Sequence, residues 1–330
     1  MIKFLQIPDN EKKKIYQDVS NEIGVPPQAV EKDVWVTLAL KMIFSSGLAP
    51  HFIFKGGTSL SKAFDLINRF SEDIDLGIDR KYLGFEGDLS KGQIRKLRRA
   101  CHTFVSGELI ELLKEQLDKH KVDESLYELV VENTEISDQD PKTILVNYKS
   151  LYETNEILYL QPKVKIEVSA RSLIEPYQDV EIQSWINEQY PSALFSDGGF
   201  SVSATDPQKT FLEKLMLLHE EFQKPTEKIR HFRMSRHFYD IGQILKTEYG
   251  KLVLENHELF ESILAHRKVL TPMKTTNYDT LTLESINIVP PKEHLANFKA
   301  DYKEMMATMI QGESEEFEAL LNKILKKLNG

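Results

Sequence analysis

Apolar positions recur along this chain with two periods, and the switches between them mark the elements. Over residues 27–45, PQAVEKDVWVTLALKMIFS, Val30, Val34, Leu38 and Ile43 fall near one helical face, with Pro26 and Pro27 at the entry. HFIFK, residues 51–55, is short and apolar and runs into Gly56-Gly57, which predicts a strand entering a tight turn. Residues 59–68 predict a helix and residues 73–78 a second strand. On that strand, alternation sets Asp73 and Asp75 on one face and Ile74, Leu76 and Ile78 on the other. A long charged amphipathic helix is predicted over 93–120.

The runs YELVVEN, KTILVNYK, EILYLQ and VKIEVSA then carry β-branched and aromatic residues, with turn formers between them. A mixed sheet flanked by helices, of the α/β (α+β) class, is the natural reading. From Asp206 the period becomes helical: DPQKTFLEKLMLLHEEFQ, EKIRHFRMSRHFYDIGQIL, EHLANFKADYKEMMATMI and SEEFEALLNKILKKLNG. Two domains are expected, 1–205 with the sheet and N-terminal helices and 206–330 helical.

Composition narrows the class. The 330 residues are 41% hydrophobic and 28% charged, a globular balance, and no segment approaches the roughly 18 consecutive apolar residues of a membrane span. One cysteine excludes a disulfide framework and a cysteine-built zinc site, and with no secretory leader pattern in MIKFLQIPDNEKKK a cytoplasmic setting is expected. A net charge of −9 argues against coating nucleic acid over the whole surface. Local basic runs remain, RKLRRA at 95–100 and RHFRMSRHF at 230–238.

Asp73 and Asp75 on one strand face repel unless a cation neutralises them, and hard oxygen donors suit Mg²⁺ or Mn²⁺. The same spacing fits a solvated turn. Gly56, Gly57, Thr58 and Ser59 stand where a strand enters a helix, a place where backbone N–H groups approach phosphate closely. Neither G-x-x-x-x-G-K-[ST] nor G-x-G-x-x-G is present. On VKIEVSAR, Val164, Ile166 and Val168 face one way and Lys165 and Glu167 the other, so Glu167 would join the aspartates if that strand lies beside theirs. Farther on, Lys214 flanks the core stripe Phe211, Leu215, Leu218 and Phe222, where it fits either a cleft-reaching or a surface lysine. Arg233, Arg236, His237 and Asp240 share a helical face at i, i+3, i+4 and i+7. That face suits phosphate or RNA backbone, and equally a solvated salt-bridged surface. HEEFQ at His219 lacks the second histidine of H-E-x-x-H.

Taken together, GGTSL, RFSEDIDL, KIEVSAR, DPQKTFLEKLMLLHE, the later R-x-x-x-D, EKDVWV and ADYKEMM resemble, in order over roughly residues 28–306, the AbiEii/AbiGii toxins, relatives of the MenT toxins in the DNA polymerase β-like nucleotidyltransferase superfamily. The resemblance implies a nucleotidyltransferase fold with a helical C-terminal region that completes the active site. It implies metal-binding acids at Asp73 and Asp75, to which the strand alternation adds Glu167 as the expected third ligand. Ser71 stands at the family's serine, Lys214 at its phosphate-contacting lysine and Asp240 at its last acid. Lys55, Gly56, Gly57, Thr58, Ser59 and Arg69 complete the candidate nucleotide contacts. The implied activity is transfer of NMP from NTP to RNA, notably the acceptor end of tRNA. The setting implied is a toxin–antitoxin or abortive-infection system with a cognate antitoxin as partner. A glycosyltransferase using Asp-x-Asp, phosphoryl transfer, and a non-catalytic nucleotide- or partner-binding module stay open as alternatives.

Overall fold

The computed structural model describes residues 1–71, 73–153, 160–310, 312 and 314–328. The chain divides into two compact units: Met1–Ala63 with Phe70–Ala204, and Phe64–Arg69 with Thr205–Gly330. A single division at 205–206 therefore misses one excursion, because the six residues 64–69 belong with the later part of the chain.

In the first unit the order is α1 (Ile2–Leu5), α2 (Asp9–Ile23), α3 (Pro27–Phe44), β1 (Phe52–Lys55), α4 (Gly56–Lys62), β2 (Ile74–Ile78), α5 (Lys91–Phe104), α6 (Ile110–Lys119), β3 (Tyr127–Val131), β4 (Lys142–Tyr148), β5 (Lys163–Ser169), β6 (Tyr177–Ile182), α7 (Trp185–Gln189) and β7 (Phe200–Thr205). The strands form one mixed sheet of order β3-β4-β5-β2-β1-β7-β6. β2 is antiparallel to β1 and parallel to β5, so it sits in the middle. That position is consistent with its pattern: Ile74, Leu76 and Ile78 are fully buried on one face, while the acids hold the other.

The helix α3 is buried nearly all round rather than along one stripe. Burying Glu31, Lys32 and Asp33 at its start would be costly without partners. Each has one: Glu31 accepts from Ser150 Oγ and from the Leu151 N–H, Lys32 Nζ donates to the Gln161 carbonyl at 3.1 Å, and Asp33 accepts Lys62 Nζ and the Trp185 N–H. EKDVWV thus fastens four separate stretches of chain, at Lys62, Ser150–Leu151, Gln161 and Trp185, to one helix.

Several boundaries differ from the periodicity. The helix expected over 59–68 is α4, which starts at the glycines and stops at Lys62; Asp65 takes a left-handed conformation (φ 51°) and the chain leaves for the second unit. The strand expected from Asp73 begins at Ile74. The helix expected over 93–120 is α5 and α6 joined by a π-helical turn at Val105–Leu109. EILYLQ falls largely on 154–159, outside the described residues. β6 and β7 carry polar residues at alternate positions with weak apolar partners and were not visible as strands.

The second unit contains α8 (Pro207–Phe222), α9 (Ser235–Ile244), α10 (Glu248–Val253), α11 (His257–Leu270), α12 (Leu295–Thr308) and α13 (Phe317–Leu328). Asp206 caps α8, accepting the Gln208 N–H at 2.8 Å, and Pro207 occupies the first turn. Phe222, Phe238, Phe298 and Phe317 pack edge-on or stacked at centroid separations of 5.2–6.5 Å, joining α8, α9, α12 and α13. Burial of each such ring contributes about 1.5–3 kcal/mol, so the cluster is one of the apolar ties that hold these four helices together. The single helix expected over 227–245 is broken: a short 3-10 turn at Thr226–Lys228 precedes α9, and Arg233 lies before α9 with φ 57°. Arg233 therefore does not share the helical face of Arg236, His237 and Asp240.

Candidate functional site

In the first unit the polar face of the sheet is built by register. Asp75 pairs with Lys55 on β1 and with Glu167 on β5, and Glu167 pairs in turn with Thr143 on β4. Cross-strand partners share a face, so Lys55, Asp75 and Glu167 form one row across three strands. Lys165 lies two residues from Glu167 on the same face, and its Nζ donates to Glu167 Oε1 at 3.1 Å. Burial opposes the lysine charge, but Glu167 together with Asp73 raises its pKa overall. Three carboxylates and two lysines thus occupy one sheet face, each about half-exposed.

The segment entering β2 is clasped from α4. Thr58 Oγ1 donates to the Asp73 carbonyl and lies 2.9 Å from Ser71 Oγ. Since the threonine has one proton and spends it on Asp73, Ser71 is the donor between the two hydroxyls. Thr58 is 1% exposed. Thr58 and Ser71 were expected to touch nucleotide; here they hold the backbone that carries Asp73. Gly57 and Ser59 are buried with them, and Ser59 Oγ has no partner among the described residues.

Gly56 is needed for two reasons. Its φ is 80°, and a Cβ there would lie 2.0 Å from Asp75 Oδ2. The glycine leaves a recess that the Asp75 carboxylate fills, a role beyond offering an N–H to phosphate.

Asp73 and Asp75 supply hard carboxylate oxygens, the donor type a divalent cation such as Mg²⁺ takes. The third ligand is not gathered: Glu167 is held by Lys165. Among the described residues no group of three His, Cys, Asp or Glu side chains stands close enough to hold a metal ion.

In the second unit Arg69, Lys214 and Asp240 form a buried cluster. Arg69 Nε and Nη2 reach Asp240 Oδ1 and Oδ2 at 2.7 and 2.8 Å, and Lys214 Nζ reaches Oδ2 at 2.9 Å. Asp240 is 0% exposed and Arg69 3%. Burial alone would raise the Asp240 pKa, yet the two cations hold it far below the carboxylate range. Burial lowers the Lys214 pKa, against the pull of Asp240 and with that of Arg69. His237 lies in the same surroundings; burial, Lys214 and Arg236 push its pKa well down, so it is neutral. Asp240 is a doubly paired anion that orients both Lys214 and Arg69. One assignment changes: Arg69 is engaged by Asp240 rather than open to nucleotide.

Lys165 is the charged neighbour of Glu167 that sequence reasoning set on the same face without a role. Its i+2 relation to Glu167 was the available signal.

The family comparison decides what this assembly belongs to. A model described as nucleotidyl transferase AbiEii toxin, type IV TA system, matches residues 39–323. The chain belongs to that family. The resemblance expected from GGTSL through ADYKEMM is thereby shown, and with it a nucleotidyltransferase toxin of a type IV toxin–antitoxin system, whose kind implies an antitoxin partner. Among solved structures, the chain is similar to MenT4, a nucleotidyltransferase toxin of Mycobacterium tuberculosis H37Rv. Identity is 16% and the TM-score 0.47, over 95% of this chain and 97% of that one. It is also similar to JHP933 of Helicobacter pylori, at 15% identity and a TM-score of 0.42 over 91% and 93% of the two chains. No curated protein matches the sequence. Among the described residues of this AbiEii-family chain, no helix is long and apolar enough to cross a membrane.

Proposed function

We propose that this AbiEii-family protein transfers NMP from an NTP to an RNA acceptor, of the tRNA class, with Mg²⁺ or Mn²⁺ held by Asp73 and Asp75. The observation that supports this most is the sheet row Lys55–Asp75–Glu167, with Asp73 fastened beside it by the Thr58 clasp. When bound, the cation neutralises triphosphate oxygens and favours ionisation of the acceptor hydroxyl.

The protein's own contribution is placement. Thr58 and Ser71 fix where Asp73 stands, and the recess at Gly56 fixes Asp75, so both carboxylates are pre-set and little ordering cost remains at the moment of reaction. Glu167 joins them only by giving up Lys165, which then becomes free to meet phosphate charge. In the same reading Lys214 offsets charge on the transferring phosphate and leaving pyrophosphate, and Asp240 keeps that lysine aimed and protonated. Arg236 is the backbone or phosphate contact from α9 and Arg233 that from its separate loop; His237, expected to join them, is buried and neutral and does not. The cognate antitoxin is the protein partner.

The test is incubation of the protein with total RNA, Mg²⁺ and each α-labelled NTP in turn. One or more nucleotides should label RNA, γ-label should not, and Asp73→Ala should abolish labelling while keeping the thermal midpoint. Labelling by Asp73→Ala at the wild-type rate would refute the assignment, and γ-label in the product would make it a phosphoryl transfer.

A further inference from the structure

The basic run RKLRRA was not absorbed by the site described above, and the structure gives it a definite form. α5, KGQIRKLRRACHTF, contains no acid. Its buried side is Leu97, Cys101 and Phe104, with Cys101 Sγ 3.8 Å from the Val168 carbonyl of β5, so the helix is fixed to the sheet in one rotation. A capping box at Ser90 and Gln93 fixes its start. The rotation presents Lys91, Arg95, Lys96 and Arg99 to solvent, with Arg98 and His102 half-buried at the flank.

The acids near this face are few. Asp138 meets Arg95 Nε at 2.9 Å, Glu86 and Asp88 precede the helix, and Asp140 is taken by Arg171. On a chain of net charge −9, a rigid face with five permanent cations and one paired aspartate is a local exception that dispersed solubility charge does not produce.

A second observation points to an absent anion. Arg98 Nε, which can only donate, is buried and has no hydrogen-bond partner among the described residues. Unpaired buried polar groups carry a cost that an incoming acceptor removes. Acceptor oxygens in a row are what a phosphodiester backbone supplies. Lys91, Arg95 and Arg99 repeat at four-residue steps, about 6 Å along the helix, a spacing that lets successive phosphates be met by successive turns. A protein partner would ask for an aromatic or aliphatic anchor at the centre of the face, and none of the large exposed apolar residues lies on α5.

We propose that the exposed face of α5 is a docking surface for the sugar–phosphate backbone of RNA, through Lys91, Arg95, Arg98 and Arg99. This rests on the reading that the acceptor is RNA, and it adds where the body of that RNA is held. Recognition there is of charge and spacing, not of base sequence.

The test uses the full-length protein and fluorescein-labelled unfractionated tRNA, with binding followed by anisotropy over a range of KCl and no NTP. Arg95→Gln/Arg98→Gln/Arg99→Gln should weaken binding by about tenfold or more at low salt. It should also reduce the slope of log K against log[KCl] by about 2–3, since each phosphate contact contributes roughly 0.7–0.9. The triple Lys variant, which keeps charge, should keep the slope and exposes any loss due to misfolding. A wild-type slope in the Gln variant overturns the proposal, and so does equal competition by polyglutamate of matched charge, which would point to an acidic protein. If the wild type binds tRNA through α5 yet never labels RNA, the transfer reading fails and the surface stands. If the Gln variant labels tRNA with unchanged KM, the surface fails and the transfer reading stands.

Discussion

Replacing Asp240 by Asn removes the one anion between two buried cations, and the cost can be worked from the geometry. At 2.9 Å and an effective dielectric near 20, the Lys214–Asp240 attraction is about 5–6 kcal/mol, and the bidentate Arg69 pair is of the same order. Much of this offsets desolvation, so the quantity that matters is what the variant leaves behind. Arg69 cannot shed its proton and stays as an unpaired buried charge. Lys214 can, and expelling a proton from an ordinary lysine at pH 7 costs about 4.6 kcal/mol, less here because burial has already lowered its pKa. A net loss of about 3–5 kcal/mol follows, in line with breaking one side of a buried ion pair. Lys214→Met leaves the Arg69–Asp240 pair intact and should cost less, about 1–2 kcal/mol. The assay is urea unfolding followed by far-UV dichroism and by tryptophan fluorescence. Both tryptophans, Trp35 and Trp185, lie in the first unit, so a loss confined to the helical unit shows in dichroism first. In Asp240→Asn, stability should also rise with pH below 10.4, because the unfolded lysine there binds a proton that the folded one has given up. A loss under about 1 kcal/mol would refute the buried cluster. So would an Asp240→Asn protein that is more stable than wild type without metal and no longer stabilised by Mg²⁺, because that is how a metal ligand behaves.

Three further outcomes follow from the same geometry. Gly56→Ala should displace the Asp75 carboxylate and strain the backbone, with loss of RNA labelling and a stability cost of about 1–3 kcal/mol; labelling at wild-type rate would show that the recess is unimportant. Thr58→Val should lower kcat of labelling more than it raises KM for NTP, because it frees Asp73 without touching substrate; a change confined to KM would return Thr58 to the nucleotide contacts. The folded His237 stays neutral where the unfolded one takes up a proton, so stability should fall as pH drops through about 6.5, and His237→Phe should flatten that dependence in thermal scans from pH 7.5 to 5; an unchanged pH profile would remove His237 from the cluster.

Where a single period governed a segment, its fold was legible. Ile74, Leu76 and Ile78 alternate against acids, and Val164, Ile166 and Val168 do the same, so two central strands and the face carrying Asp75 and Glu167 could be read directly. What pairwise register adds is beyond one strand's pattern: that Lys55 completes the row depends on an antiparallel partner chosen by the whole sheet. The helix end at Lys62 was hidden for a related reason. Phe64 to Arg69 keep a helix-like composition, but Lys62 is bound to Asp33, and Phe64 and Asn68–Arg69 have partners near Tyr249, Tyr239 and Asp240 in the second unit, so tertiary contacts override local propensity. Arg233 failed similarly, since a positive φ carried by a non-glycine residue leaves no periodic trace.

The motif RFSEDID therefore serves two clusters at once. Its arginine is the bidentate partner of Asp240 in the helical unit, and its serine and aspartates, starting two residues later, belong to the sheet unit. A nucleotide-contacting arginine would need its guanidinium exposed and uncommitted in the free protein, whereas Arg69 is 3% exposed and both ends of its fork are taken by one carboxylate. Positioning is the role left to it. The two roles separate kinetically: Arg69→Lys keeps the charge but not the fork, so a contact to substrate would survive in part as a raised KM, while a lost clamp on Asp240 lowers the unfolding midpoint and kcat together. The lowered unfolding midpoint is what this geometry requires, and a raised KM at an unchanged midpoint would return Arg69 to the substrate.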